Sequence, residues 1–391
     1  MSDRIAARRP PLRVLHLQNG SKFGGIQRML VCLAKERAAC PEMEPIFALC
    51  YAERLATELL TAQARVEILG PVSGRKPWQI FRGQFRLWRL LTRERFDVVV
   101  CHGSWPLAIF GVVPRLLRIP LVLWMHNDTP RRNKNPLEFL AGRIGPDWVI
   151  CNSAFTAASL PLLFPKPPPH SVVACPVSPP AQSFRSAAAR TSVREECATP
   201  EESVVIILVG RLEAWKGHAV LLQALGELRT LPGWTCWFIG GAFDSSQTAF
   251  LEQLKSAAET AGIAERVRFL GQRHDVPALL AAADVFCQPN LSPEPFGIVF
   301  IEALYAGLPV VATDHGGARE IVDQTSGRLL PPGDASALAA ALKTLITQPE
   351  LRASLSQAAP SRGAAISDPA HLLPAIYEIF VGLRQSARVH G

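Results

Sequence analysis

No stretch of the 391 residues approaches the roughly 18 consecutive apolar residues that a membrane-spanning helix needs. The first ten residues, MSDRIAARRP, are polar and basic and hold no apolar segment ahead of a cleavage site, so a cytosolic chain is expected. The nine cysteines lie far apart and include no C-x-x-C pair, which argues against disulfides or a zinc site. Several of them close apolar runs, as in VVVCH at Cys101, WVIC at Cys151 and DVFC at Cys287, where a cysteine serves as a small buried hydrophobe. Charged residues make up 19% against 48% hydrophobic, too little charge for a disordered chain. No repeat shorter than a domain is present.

What is present points to two globular domains. At about 150 residues per domain the length exceeds one core, and two lobes imply a cleft. Lys and Arg total 41 and Asp and Glu 33, a surplus of +8 that favours anionic partners such as nucleotides, phosphorylated lipids or nucleic acid. Apolar runs bounded by turn residues alternate with helical-period stretches, the signature of βα units around buried parallel strands. In the first half the expected strands are 13–19, 45–50, 66–69, 97–102, 120–126 and 148–152, and in the second 203–211, 234–241, 266–271, 284–289 and 308–314. Prolines at 165, 167, 168, 169, 176, 179 and 180 suit neither a helix interior nor a central strand. The reading is therefore α/β, with two doubly wound parallel-sheet domains over 1–178 and 201–365 and a linker over 179–200. The helical pattern 369–386 follows with its own apolar stripe.

Three constellations carry chemistry. Gly24 and Gly25 follow the first strand and open a helix, where backbone amides and the helix N-terminus suit a phosphate; a tight turn requiring positive φ explains the pair equally well. Gly210-Arg211 with Lys216-Gly217, in LVGRLEAWKG, ends a buried strand and delivers two cations five residues apart, a pattern suited to a diphosphate leaving group. The run Glu294-Pro-Phe-Gly-Ile-Val-Phe-Ile-Glu302 sets two carboxylates about a helix start, where Phe296, Gly297 and Ile298 leave backbone N–H groups free for an anion.

Taken together, the GG loop, GR-x4-KG, E-x7-E and the following GLPVVATDHGG resemble the retaining nucleotide-sugar glycosyltransferases of family 4, over nearly the whole chain and most specifically in its second half. The resemblance implies a GT-B arrangement of two Rossmann-like domains. It assigns Arg211 and Lys216 to the donor diphosphate, Glu302 to the ribose hydroxyls, Glu294 to the donor sugar, and Gly316 and Gly317 to the neighbouring loop. It also brings Gly24 and Gly25 to the donor or acceptor, His126 to the transferred sugar and His102 to the acceptor side; packing at a strand end is the competing role for both histidines. Backbone groups near Gly271–His274 would select the base, and the final helix would return onto the first domain. VVACPVSPP at 172–180 departs from the N-G-V-D segment frequent in the family. There is also no D-x-D by which other glycosyltransferases hold a metal, so a metal-independent reaction without cofactor is expected.

Residues 75–96 carry seven basic residues against the single Glu94. Arg82, Arg86, Arg89 and Arg93 recur at near-helical spacing beside a stripe of Phe81, Phe85, Trp88 and Leu91. The segment reads either as a helix lying on anionic lipid or as a domain helix that buries this stripe on its sheet. The function expected is transfer of a sugar from a nucleoside diphosphate sugar to a sugar, glycan or lipid-linked acceptor hydroxyl with retention, in cell-surface polysaccharide or glycolipid synthesis. The rivals are an epimerase on the same scaffold and a non-catalytic nucleotide- or membrane-binding protein. No nucleic-acid recognition motif appears.

Overall fold

The computed structural model describes residues 10–21, 23–73, 76–129 and 136–389. The chain forms two compact units, Met1–Ser178 with Ser367–Gly391, and Pro179–Ile366. The basic leader 1–9 and Arg75 lie outside the described residues.

The first unit is built on seven strands: β1 Leu12–Gln18, β2 Met43–Leu49, β3 Arg65–Ile68, β4 Val98–His102, β5 Leu121–Met125, β6 Trp148–Cys151 and β7 His170–Val172. All pair in parallel, in the order β3-β2-β1-β4-β5-β6-β7. Runs such as VVVCH and LVLWM are buried at every position because helices cover both faces of such a sheet. On one face Leu15, Leu17, Ile46, Val99, Cys101 and Leu123 share a core with Leu87, Leu90, Leu107 and Phe110 from the helices Pro77–Arg93 and Ser104–Phe110. The last helix, Pro369–Val389, packs on the helix Gly25–Lys35, the turn Arg37–Ala39 and β4, burying Leu373, Ile376 and Phe380. Burial contributes roughly 1.5–3 kcal/mol for each such side chain.

The second unit carries β8 Val204–Val209, β9 Trp234–Ile239, β10 Val267–Phe269, β11 Val285–Gln288, β12 Val310–Thr313 and β13 Gly327–Leu330, parallel and ordered β10-β9-β8-β11-β12-β13. Its core joins Ile206, Leu208, Cys236, Phe238, Cys287 and Val311 to Leu221, Leu225, Leu338 and Leu342. All nine cysteines are buried and reduced.

Two strands escape the hydrophobic pattern, β7 and β13. Both are outer strands of their sheets and only partly buried, so neither presents a continuous apolar run. The stretch 179–200 is more than a linker. Its prolines stop at Pro180 and resume at Pro200, and between them Ser186 caps a helix, Ala187–Glu196, by accepting from the Ala189 amide. Arg194, 1% exposed, fastens that helix: it donates to the carbonyls of Ala282, Glu201 and Ser203 and pairs with Asp284 at 2.6 Å. The stretch therefore belongs to the second unit.

Candidate active site

In both sheets the winding reverses beside one strand. The chain runs outward through β1, β2 and β3 and then returns to place β4 on the other side of β1; β8, β9, β10 and β11 repeat the manoeuvre. Loops leaving the carboxyl ends of β1 and β4, or of β8 and β11, therefore diverge, and such switch points are where open α/β sheets bind ligands. Residues expected to carry chemistry stand at both.

After β8, the Lys216 stem runs alongside Gly210, where a Cβ would sit 3.7 Å from Lys216 Cδ, in ordinary contact. The Lys216 ammonium, nearly buried, pairs with Glu294 from the β11 loop and lies 4.0 Å over the Trp215 ring. Arg211 stays 61% exposed, held at 2.7 Å by Glu213, whose other oxygen accepts from Trp215 Nε1 at 2.8 Å. One carboxylate thus fixes both the exposed Arg211 guanidinium and the ring beneath Lys216. Gly217, at φ 78°, begins the helix His218–Glu227 against the Pro289 carbonyl, where any side chain would collide.

The β11 loop is organised around Asn290, which is 2% exposed. Its side chain accepts from Gln288 Nε2 at 3.1 Å and donates to Glu294 Oε2 at 3.4 Å. Its carbonyl accepts from Thr313 Oγ1 at 2.8 Å and His315 Nε2 at 2.9 Å, tying the loop to the end of β12. Gly297, at φ 95°, turns the chain into the helix Ile298–Tyr305, which carries Glu302 in its second turn. Gly317 donates its amide to the Glu294 carbonyl at 2.8 Å and packs on Phe296, and Gly316 packs on the Glu294 backbone. These two glycines shape the carboxylate loop from behind. Gly210, Arg211, Lys216, Glu294, Phe296, Gly297 and Ile298 therefore gather around the β8/β11 switch point. Gly271, at φ 65°, adjoins through its carbonyl, which accepts from the Gly240 amide at 2.9 Å.

In the first unit His102 ends β4 and His126 follows β5, and a third imidazole, His16 in β1, joins them. The contacts are 2.9 Å from His16 Nδ1 to His102 Nε2 and 3.0 Å from His102 Nδ1 to His126 Nε2. Burial pushes His16 and His126 down to about 3, and burial with the two neighbouring imidazoles holds His102 well below the usual histidine range. Gly24 caps the helix Gly25–Lys35 at φ −163°, an extended conformation open to any residue, so the tight-turn explanation of this pair fails. The Gly24 amide donates to Gln27 Oε1 at 3.0 Å.

The basic segment divides differently from the expected stripe. In the helix Pro77–Arg93 the buried residues are Gly83, Leu87, Leu90 and Leu91, so Leu91 belongs to the core. Gly83 permits that packing, since a Cβ there would lie 2.9 Å from Val72 Cγ2. Trp78, Phe81, Phe85 and Trp88 are instead exposed, by 60, 72, 50 and 45%, and recur on one face beside the exposed Arg82 and Arg89. Arg86 turns inward to donate to the Leu69 carbonyl at 2.9 Å. The version in which this aromatic stripe packs on the sheet is thereby excluded.

Sequence reading missed Asn290, Glu213 and His16. Asn290 and Glu213 lie inside the very runs that drew notice, but their role is to orient neighbours. His16 carries a signal only once the register of β1 against β4 is known.

Two doubly wound parallel-sheet units with a cationic loop and a carboxylate loop meeting at a switch point define the class of Rossmann-like, two-domain α/β proteins with GT-B architecture. Residues 23–179 match the family model Glycosyltransferase Family 4, and residues 189–362 match Glycosyl transferases group 1. The chain belongs to the family 4 glycosyltransferases of GT-B fold. Over 162 residues it is 40% identical to the phosphatidyl-myo-inositol mannosyltransferase of Mycobacterium leprae, covering 39% of this chain and 40% of that protein's length. Over 322 residues it is 28% identical to the lipopolysaccharide core biosynthesis mannosyltransferase LpsB of Rhizobium meliloti, covering 80% and 88%. The fold matches a crystal structure of Anabaena Alr3699/HepE in complex with UDP and glucose, with a TM-score of 0.80 and 23% identity over 95% of this chain and 99% of that one. Among the described residues no helix is long and apolar enough to cross a membrane.

Proposed function

We propose that this protein is a retaining, metal-independent glycosyltransferase that moves a sugar from a nucleoside diphosphate sugar to an acceptor hydroxyl in glycolipid or cell-surface polysaccharide synthesis. The observation that carries the reading is the cluster at the β8/β11 switch point, where exposed Arg211, nearly buried Lys216 and the N-terminus of the helix Ile298–Tyr305 stand with the Glu294 carboxylate. Two cations and unpaired helix amides neutralise a diphosphate, and they act most strongly on the charge that grows as the sugar departs. Charge neutralisation by these groups needs no metal. In the retaining route proposed, the departing diphosphate takes the acceptor proton on the face it leaves, and no side chain serves as nucleophile. Glu294, oriented by Lys216 and Asn290, addresses sugar hydroxyls; Glu302 addresses the ribose; His126, with His102 beside it, addresses the transferred sugar. Gly24 and Gly25 bring backbone close to a substrate.

The acceptor is proposed to be lipid-linked and met at a membrane surface. The relatives' names refer to phosphatidyl-myo-inositol and lipopolysaccharide core, and the exposed face of the helix Pro77–Arg93 joins four aromatic side chains to arginines, a combination suited to an anionic interface.

Calorimetric titration with UDP, GDP and ADP, alongside an Arg211→Ala, Lys216→Ala variant, tests the donor site. One nucleotide is expected to bind and to lose at least tenfold in affinity in the variant. Failure of all three to bind overturns the reading. Transfer that persists in EDTA and retains the anomeric configuration is expected next; an inverted product or a metal requirement refutes the corresponding part.

A further inference from the structure

The three imidazoles of the first unit form a line set by strand register. His16 stands opposite Val100, and His102 lies two residues beyond Val100; His102 stands opposite Trp124, and His126 lies two residues beyond Trp124. Each two-residue step keeps the side chain on the same sheet face while moving one strand across. The ring centroids lie 5.2 and 5.3 Å apart with the planes inclined by 27 and 19°, so the rings meet edge to edge, with Phe47 beside His16 and Trp124 beside His102. Their nitrogens pair head to tail and do not converge on one point, and among the described residues no group of three metal-ligating side chains occurs. The array is a hydrogen-bonded chain.

A neutral imidazole has one N–H and one lone pair, so the chain has two self-consistent states. In the first, His16 Nδ1–H donates to His102 Nε2, and His102 Nδ1–H donates to His126 Nε2. This leaves an N–H on His126 Nδ1 and a bare lone pair on His16 Nε2. In the second every bond is reversed, leaving an N–H on His16 Nε2 and a bare lone pair on His126 Nδ1. His16 Nε2 is buried and has no partner. The choice is between stranding a lone pair and stranding a donor, and a buried N–H without an acceptor is the rarer of the two in folded proteins.

We propose that His16 and His102 are positioning residues that lock His126 as the neutral Nδ1–H tautomer, so that His126 presents a fixed hydrogen-bond donor to a substrate oxygen and does not act as a proton acceptor. The substrate part rests on the reading of His126 as facing a sugar; the tautomer is a property of the protein alone.

Two-bond ¹H–¹⁵N correlation spectra of the full-length, histidine-labelled protein at pH 7, without ligand, read the tautomer directly. All three residues are expected to be neutral, with the proton on Nδ1. A proton on His126 Nε2, or a charged His126, overturns the proposal. His16→Leu removes the first donor and is expected to turn His126 into a mixture of tautomers, while His16→Asn, whose amide still donates to His102 Nε2, keeps it fixed. An unchanged His126 in a folded His16→Leu protein also overturns it; if that variant does not fold, the wild-type spectrum still decides. In a transfer assay His16→Leu is expected to lose about tenfold in kcat/KM and His16→Asn to recover most of it. Equal losses in the two variants at matched stability refute the positioning role. Failure to bind any nucleotide would count against the sugar-transfer reading and leave the spectra standing.

Discussion

Asn290 Nδ2 stands 3.4 Å from Glu294 Oε2, the same carboxylate oxygen that pairs with Lys216. A single oxygen thus faces a cation from the β8 loop and an amide from its own loop. The amide is anchored through Gln288, while Thr313 and His315 hold the Asn290 backbone. The direction of this carboxylate is consequently decided by residues that need not touch a ligand.

Replacing Asn290 by Ala is expected to destabilise the second unit by about 1–3 kcal/mol, because Gln288 Nε2 loses its buried acceptor. Nucleotide affinity should fall as well, since the Lys216–Glu294 pair loses one support. Urea unfolding and calorimetry check the two effects. Asn290→Asp should be worse, because it sets a second carboxylate beside Glu294. A variant with wild-type stability and affinity would show that Asn290 does not orient the Glu294 carboxylate.

Acid should unfold the protein earlier than its carboxylates alone would cause. His16 and His126 are held at about 3 and His218 at about 4 by burial, against about 6.5 in an unfolded chain. Below pH 6.5 the unfolded chain takes up protons that the folded one refuses. The stabilising contribution is therefore complete above that pH and falls with decreasing pH toward the folded values, by about 1.4 kcal/mol per pH unit for each histidine. Urea midpoints measured from pH 7 to pH 5 should drop steeply. His218→Leu should flatten the slope by one proton, as His218 is fully buried against Phe238 and Phe250. A flat profile over this range would contradict the buried neutral state.

The aromatic face of the helix Pro77–Arg93 separates binding from stability. Changing Trp78, Phe81, Phe85 and Trp88 together to Ala should leave the thermal midpoint nearly unchanged, because these side chains are largely outside the core. Co-sedimentation with vesicles of phosphatidylglycerol should be lost, while wild-type protein binds them and ignores phosphatidylcholine. Equal binding by wild type and variant would refute the surface.

Eleven of the thirteen strands among the described residues are legible, most of them because a parallel strand covered on both faces is largely apolar and such a run stands out between turn residues. β7 and β13 are not legible: β7 opens on His170 and Ser171 directly after a run of prolines, and β13 opens on Gly327 and Arg328. The Arg211–Lys216 and Glu294–Glu302 segments are legible because paired charges at the ends of buried runs are unusual. What positions them is not: Asn290 and Glu213 differ in no obvious way from ordinary loop residues, and the His16–His102–His126 line exists only through strand register. The helix 75–96 shows how periodicity finds an apolar stripe without saying which side of the helix faces the core. The core takes Leu87, Leu90 and Leu91 into one cluster with Val72 and Phe110, and the helix's aromatic rings Trp78, Phe81, Phe85 and Trp88 stay exposed.

The chain passes between its two units twice, after Ser178 and after Ile366, and the Val177 amide donates to the Ser367 carbonyl at 3.0 Å where those passages lie side by side. The second unit is in effect an insertion in the first. During synthesis the order of completion therefore inverts the order of sequence: the segment 179–366 has all of its strands once residue 366 has emerged, whereas the earlier-made sheet must wait for Leu373, Ile376 and Phe380 to close over it. The sheet translated first is thus completed only by residues translated last.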